Sequence, residues 1–417
     1  MTAATMLAPL EITLPKAPVG AWFEAAITWV QLTFKPAFDA IGEVIGASVD
    51  TLAGLLTEPS AAQLTVLAAA IVAFGLVRRG RPRPAALAVA VWLVLAVAEG
   101  AAGVAALAIQ NLPAPLFLWA MGLFGADYVD PQLVLALLLL AALVATSLAA
   151  TRSAAQWRLA GGSSAALLAL FVAQHILGVQ PALLVMLLFT ALALAVAGWR
   201  LAVFALLGFL LIISMDKWEA AMSSLALILV ATAVAVVISV PIGILAAYND
   251  RASRVVKPVL DFMQTLPAFV YLIPAISFFG VGQVPGIIAT VIFAMPPGVR
   301  LTELGIRQVD KELIEAGEAF GAPDLQILRR IQLPLALATI MAGVNQVIML
   351  SLSMVVIAGM VGAGGLGNDV YTGIARSDVA LGFEGGIAVV VLAIFLDRLT
   401  GAVTRFSPAA RAQRAAR

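Results

Sequence analysis

The sequence predicts an all-α, polytopic membrane protein with about eleven transmembrane helices. Three observations carry that expectation. Hydrophobic residues make up 63% of the 417 and charged residues 11%, against roughly 45–50% and about 25% in a soluble domain, and mean hydropathy is +1.07. Apolar runs near the roughly 20 residues that a helix needs to cross a bilayer recur along the chain. Laying those runs across a membrane also puts most Lys and Arg on one side.

The elements follow in order. Residues 1–60 do not read as a cleaved leader: Glu11 precedes the first lysine, Lys16, and Pro9, Pro15 and Pro18 interrupt the run. Within 20–57, Phe34, Phe38, Ile41, Ile45, Val49, Leu52 and Leu56 recur at spacings of three or four, with Asp39, Glu43 and Asp50 between them. This predicts an amphipathic helix broken near Pro36. It is too polar to cross, and is expected on the outer side, either on the membrane face or packed on loops.

Six spans are expected in the first half, at about 61–77, 85–109, 132–150, 164–180, 181–199 and 200–214. Val179, Gln180 and Pro181 leave a tight hairpin between the fourth and fifth. Five more are expected at about 222–247, 258–280, 285–306, 333–358 and 386–403. With the N-terminus outside, eleven crossings put the C-terminus and the basic tail 406–417 inside. Twenty basic residues then face inward, and only Lys16, Lys35, Lys217 and Arg376 remain outside.

Composition also excludes functions. Lys+Arg 24 against Asp+Glu 23 leaves no basic excess for nucleic acid. Cysteine is absent and histidine occurs once, which removes disulfides, thiolate sites and His-rich metal cages. A phosphate-cradling Gly-x4-Gly-Lys-Ser/Thr loop is missing, since none of Lys16, Lys35, Lys217, Lys257 and Lys311 follows a glycine. Gly362, Gly364 and Gly367 fit Gly-x-Gly-x-x-Gly, but an apolar span precedes them where a dinucleotide site needs a strand. They read instead as a flexible outer loop turning against neighbouring helices.

The longest charged inner loop runs from Arg307 to Pro334. Residues 310–320 predict a short helix with apolar positions at Leu313, Ile314, Gly317 and Phe320. Gly321 ends it, Pro323 opens a second helix at its first position, and Pro334 begins the next span. Ala316 and Gly317, taken as one small-residue face, would let another body approach closely. The alternative is a plain solvated connection.

Here the residues carry a resemblance. Glu315, Ala316 and Gly317, followed by Gly321 and then Ile331, Leu333 and Pro334, resemble the EAA loop of binding-protein-dependent ABC importer permeases, with Gly317 where a second Ala is usual. The stretches Asp261–Pro274, Gln332–Gln346, Leu352–Ala358 and Phe395–Thr400 resemble the glycine betaine/proline betaine permeases more narrowly, and the start around Trp22 and Trp29 does so loosely. Residues about 78–200 depart from that pattern.

The resemblance implies a MetI-like, type I permease domain over 215–405, with accessory helices over 61–214. It implies a multi-pass protein of the bacterial inner membrane that imports glycine betaine, proline betaine, choline or a similar solute such as trimethylamine N-oxide. The Glu315–Gly321 helix would dock on a cytoplasmic ATP-binding subunit, which holds the ATP and Mg; this chain needs no cofactor. A periplasmic substrate-binding protein would deliver the solute, and two permease copies would pair around the path. Gly362, Gly364, Gly365 and Gly367 would belong to an external gate.

Other candidates remain open at this level. Asn345, Gln346, Ser351, Ser353 and Met354 line a translocation path or join helices. Phe262, Phe269 and Tyr271 supply aromatic contacts to a quaternary amine or simply pack. Glu99, read as the acid well inside a span, would be the coupling residue of an ion-driven secondary transporter. A permease for another small solute such as an amino acid, or a membrane scaffold, are further alternatives.

Overall fold

The structure, a computed structural model, describes residues 19–59, 63 and 180–404. The expected spans at about 61–77, 85–109, 132–150 and 164–180, apart from single edge residues, lie outside these, as do Glu99 and the tail 406–417. The described residues are helical throughout their regular structure. Helix α1 covers Val19–Thr57, α2 Pro181–Val196, α3 Trp199–Ser214, α4 Trp218–Tyr248, α5 Asp250–Thr265, α6 Ala268–Phe279 and α7 Gln283–Arg307. Then come α8 Lys311–Ala319, α9 Asp324–Ile327, a π-helical turn Leu328–Gln332, α10 Leu333–Ser353, α11 Val355–Met360, α12 Gly365–Arg376 and α13 Val379–Thr404.

The centre is α7, which packs against α4, α10, α6 and α11. In lipid, apolar surface alone does not drive helices together, so close van der Waals contact must. Small residues supply it. A Cβ on Gly243 would lie 2.6 Å from the Thr302 Cβ and 2.7 Å from the Val299 carbonyl oxygen, and one on Gly298 would lie 2.5 Å from Ser239 Oγ. Around this crossing one continuous apolar core takes in Phe209, Met222, Ile228, Ile287, Leu392 and Phe395.

Among the described residues, five helices are long and apolar enough to cross a membrane: α1, α4, α7, the run Asp324–Met360, and α13. The expectations at 222–247, 285–306 and 386–403 correspond to α4, α7 and α13. Four other cases, with 181–199 and 200–214 taken together, differ from the expectation. The single span at 258–280 is instead two helices, α5 and α6, bent by 99°. Pro267 is the cause: it disfavours helical backbone at the preceding residue, and Leu266 is extended with φ −69 and ψ 135. Helices α2 and α3 have 16 residues each, about 24 Å at 1.5 Å per residue, short of the roughly 30 Å hydrocarbon layer; they pair as a hairpin about Gly198. The span at 333–358 begins earlier, at Asp324, because the π turn keeps the helix continuous into it.

Helix α1 is the fourth. It breaks from helical geometry at Phe34 (φ −109, ψ 16), two residues before Pro36. Its second half buries Ile45, Val49 and Leu56 on the bundle, in the expected periodicity, while Phe38 stacks on Phe278 with ring centroids 4.6 Å apart. By length and composition it qualifies as a span, against the expectation that it is too polar. Yet this half exposes Glu43, Ser48, Asp50 and Thr51.

The bundle has two distinct ends. At one, Lys217 pairs with Asp369 at 3.2 Å, the Gly282 N–H donates to Val361 at 2.9 Å, and the Leu366 N–H donates to Ser224 Oγ at 2.8 Å. At the other lie Tyr248, Asp250, Arg307 and Gln332. Near the Lys217 end α11 and α12 touch backbone to backbone: a Cβ on Gly367 would overlap the Val355 carbonyl oxygen. Gly367→Ala should therefore destabilise the chain by roughly 1–3 kcal/mol, the scale of overpacking, seen as a lower unfolding midpoint in detergent. Gly386→Ala, with nothing within 4 Å, should not lower it.

Candidate functional site

The Tyr248 end carries the site. Helix α8 starts where Asp310 caps it, its Oδ1 accepting from the Glu312 N–H at 3.1 Å. Gly321 stops it at φ +73, where a side chain would be strained. Pro323 is the N-cap of α9, one position earlier than expected. No residue of α8 is buried.

The small pair divides between two faces, correcting the single-face expectation. Neighbours on a helix point about 100° apart. Gly317 faces its own chain: a Cβ there would lie 3.0 Å from Ile331 Cδ1 and 3.4 Å from Ile327 Cγ1. Ala316 faces out, with Leu313 and Phe320 beside it, and Phe320 is 92% exposed. Glu315 is exposed as well. Ile331, Leu333 and Pro334 are half-buried at the stem. The result is a short arm with an apolar, solvent-facing outer side and a close-packed inner side.

Beneath the arm is an ionic cluster built on Glu303 of α7, only 5% exposed. Glu303 Oε1 accepts from Ser253 Oγ at 2.8 Å and meets Arg307 Nε at 3.0 Å and Lys257 Nζ at 3.4 Å. Arg307 Nη2 also donates to Asp250 Oδ1 and to the Ala246 carbonyl, both at 2.8 Å. Arg300 pairs with Asp261 one step along. These contacts hold α5 obliquely across α7. The burial of Glu303 is tolerated because its charge is paired and hydrogen-bonded.

The path candidates scatter. Asn345 joins α10 to α13: its Nδ2 donates to Asp397 Oδ1 at 2.9 Å and its Oδ1 accepts from Thr400 Oγ1 at 2.6 Å. Ser351 and Met354 are buried, and Ser351 donates to the Val347 carbonyl. Gln346 and Ser353 are exposed, on one stripe of α10 with Ala338, Ala342 and Met349. The aromatics separate too. Tyr271 is buried and its hydroxyl donates to the Met263 carbonyl, whereas Phe262 and Phe269 are exposed. At the opposite end Gly362, Gly364 and Gly365 all have positive φ. Gly365 opens α12 and sits against Ser224, so this segment is packed structure and not a flexible loop.

Comparison with known proteins places this arrangement. Residues 239–406 match the family described as binding-protein-dependent transport system inner membrane component. Over 224 residues the chain is 53% identical to the glycine betaine transport system permease protein of Bacillus subtilis, covering 54% of this chain and 79% of that one. The chain belongs to this permease family. It is 50% identical to the glycine betaine/proline betaine transport system permease protein of Escherichia coli over 56% of this chain and 66% of that one. A structure of the MetNI methionine ABC transporter, inward facing, aligns with TM-score 0.41 and 24% identity over 44% of this chain and 91% of that one. Members of the family are, by its description, the inner-membrane component of a transport system that depends on a binding protein. The chain is accordingly a multi-pass inner-membrane protein.

Two features of this permease were not singled out from sequence. Glu303 is a buried acid one turn before the end of α7; the signal was its i,i+4 spacing to Arg307. Tyr248 donates to Gln332, 84 residues away, and no local pattern announces that bond. Glu303→Leu should strand Ser253 and loosen Lys257 and Arg307. The expected cost is about 2 kcal/mol, the scale of a lost hydrogen bond to a charged group, read as a lower unfolding midpoint of the purified permease.

Proposed function

We propose that this chain is the permease subunit of an ATP-driven importer for glycine betaine, proline betaine or a similar compatible solute, such as choline or trimethylamine N-oxide. The observation that carries the reading is the arm at 311–319. A short helix with no buried residue carries Leu313, Ala316 and Phe320 exposed together. An apolar face in water calls for a protein partner, and a cytoplasmic ATP-binding subunit that grips it fits the family's transport role. Glu315, Ala316, Gly317 and Gly321 form the coupling helix, and Ile331, Leu333 and Pro334 its stem. ATP and Mg belong to that subunit.

The same reading orders the rest of the chain. The arm end is cytoplasmic, consistent with its cluster of Arg251, Arg254, Lys257, Arg307, Arg329 and Arg330. The N-terminus is then outside and the C-terminus inside. Residues 215–405 are the permease domain, 61–214 accessory helices, 1–60 an external amphipathic segment against lipid, and 406–417 a cytoplasmic tail. The Gly362–Gly367 segment lies at the external end, where a periplasmic substrate-binding protein would deliver solute. Two copies pair along the exposed α10 stripe, which puts Gln346 and Ser353 in the path. Phe262 and Phe269 also reach solute only if a second copy faces them.

Proteoliposomes holding this chain with its ATPase subunit and binding protein test the function. Uptake of radiolabelled glycine betaine should require internal ATP, and unlabelled proline betaine should compete. Uptake driven by a proton or sodium gradient without ATP would defeat the proposal. Ala316→Trp should weaken ATPase association about 30-fold, the scale of an interface hot spot of about 2 kcal/mol, measured by co-purification. Gln346→Leu should leave that association intact while lowering the uptake rate.

A further inference from the structure

The two stems of the arm are both fastened to the last turn of α4. On the entering side, Arg307 Nη2 donates to the Ala246 carbonyl at 2.8 Å. On the leaving side, the Tyr248 hydroxyl donates to Gln332 Oε1, and Gln332 is buried. Ile244 and Ala247 of α4 and Ile314 and Leu328 of the arm pack on one apolar cluster of Ile306, Val309, Ala336 and Ile340. Two hydrogen bonds and one shared cluster therefore bring both stems to the end of α4.

The π turn makes the leaving side possible. The Leu333 N–H donates to the Leu328 carbonyl, five residues back. One added residue rotates the following side chains by about 100° relative to an unbroken α-helix. With that rotation Ile331 packs on Gly317 while Gln332 reaches Tyr248. Because Asp324–Met360 runs on without a loop, the second half of the arm is a stiff extension of α10. A stiff lever moves a distant load only if it turns on a fixed point; otherwise the displacement is absorbed locally.

We infer that the Ala246–Tyr248 turn is the bearing on which the arm works, and that Tyr248, with Gln332, is a positioning residue for nucleotide-driven movement of α10. This rests on the coupling reading of 311–319. Tyr248 touches neither solute nor nucleotide. It acts by holding the stem so that motion imposed at Ala316 arrives at the exposed α10 stripe.

The absence of cysteine makes a direct test available. Ala342→Cys places the chain's single thiol on the exposed stripe of α10. The permease, in complex with its ATPase subunit, is labelled with a thiol reagent with and without ATP plus vanadate, so no transported solute is needed. In the otherwise unchanged chain, nucleotide should alter the labelling rate. Tyr248→Phe and Gln332→Met each remove the bond with little change of shape. Each should shrink the nucleotide response about fivefold, the size of one net hydrogen bond lost from the coupling. The double variant should lose no more than either single one, while the nucleotide-free labelling rate and ATPase co-purification stay unchanged. Either single variant suffices if the other fails to accumulate. A full nucleotide response in Tyr248→Phe or Gln332→Met, multiplied losses in the double variant, or no response in the parent complex would overturn the inference. Ala316→Trp separates the two levels. If it leaves the ATPase bound, the coupling reading itself fails; if it releases the ATPase while Tyr248→Phe responds normally, only the bearing fails.

Discussion

The close crossing of α4 and α7 is the contact on which the remaining architecture depends. Gly243 against Thr302 and Gly298 against Ser239 bring two span-length helices to backbone-limited distance. In water, burying large side chains would supply the association. In lipid those side chains gain little by leaving the tails, so contact density decides. Once the two axes are fixed, so is what meets at their ends. Arg307 arrives beside Ala246 and Glu303 beside the start of α5. At the far end, Ser224 of α4 reaches the opening residues of α12. The arm at 311–319 and the glycine segment are therefore consequences of one packing arrangement, not separate devices.

Much of this was legible in the sequence, and the failures have physical causes. Long apolar runs announced α4, α7 and α13 because a single spanning helix satisfies all its backbone groups internally. The elbow between α5 and α6 was missed because hydropathy averages over a window, and 258–280 is apolar on average although Pro267 interrupts it. The α8 arm was legible from its apolar spacing and from Gly321, which ends it; the Asp310 cap at its start was not read. Which of Ala316 and Gly317 faces outward was not, since that depends on where Ile327 and Ile331 fall, before and within a π turn. Glu303 was not singled out because its partners Ser253 and Lys257 lie on another helix.

Helix α1 shows a different limit. By length and composition it qualifies as a span, but its two halves differ in what they expose. Before the break at Phe34 the exposed residues include Trp22, Phe23, Trp29 and Leu32. After it they include Glu43, Ser48, Asp50 and Thr51 beside Ile41 and Val44, while Ile45, Val49 and Leu56 lie on the bundle. An acid-bearing outward face is costly in hydrocarbon. The external amphipathic segment proposed above would place its indoles at headgroup level.

The same reasoning bears on how a path can exist. The Asn345–Asp397–Thr400 cluster ties α10 to α13 and satisfies Asn345. Gln346 and Ser353 are exposed instead, on the stripe of Ala338 and Ala342, and Ser353 Oγ donates to the Met349 carbonyl at 3.1 Å. Small residues interleaved with polar ones suit a surface that meets another helix or water better than one that meets acyl tails. Under the proposed pairing, each copy would carry half of a conduit wall on its outside, and a second copy would present the same stripe about a two-fold axis. Each arm would then sit beneath its own α10, and closure of the proposed ATP-binding subunits would draw both stripes at once.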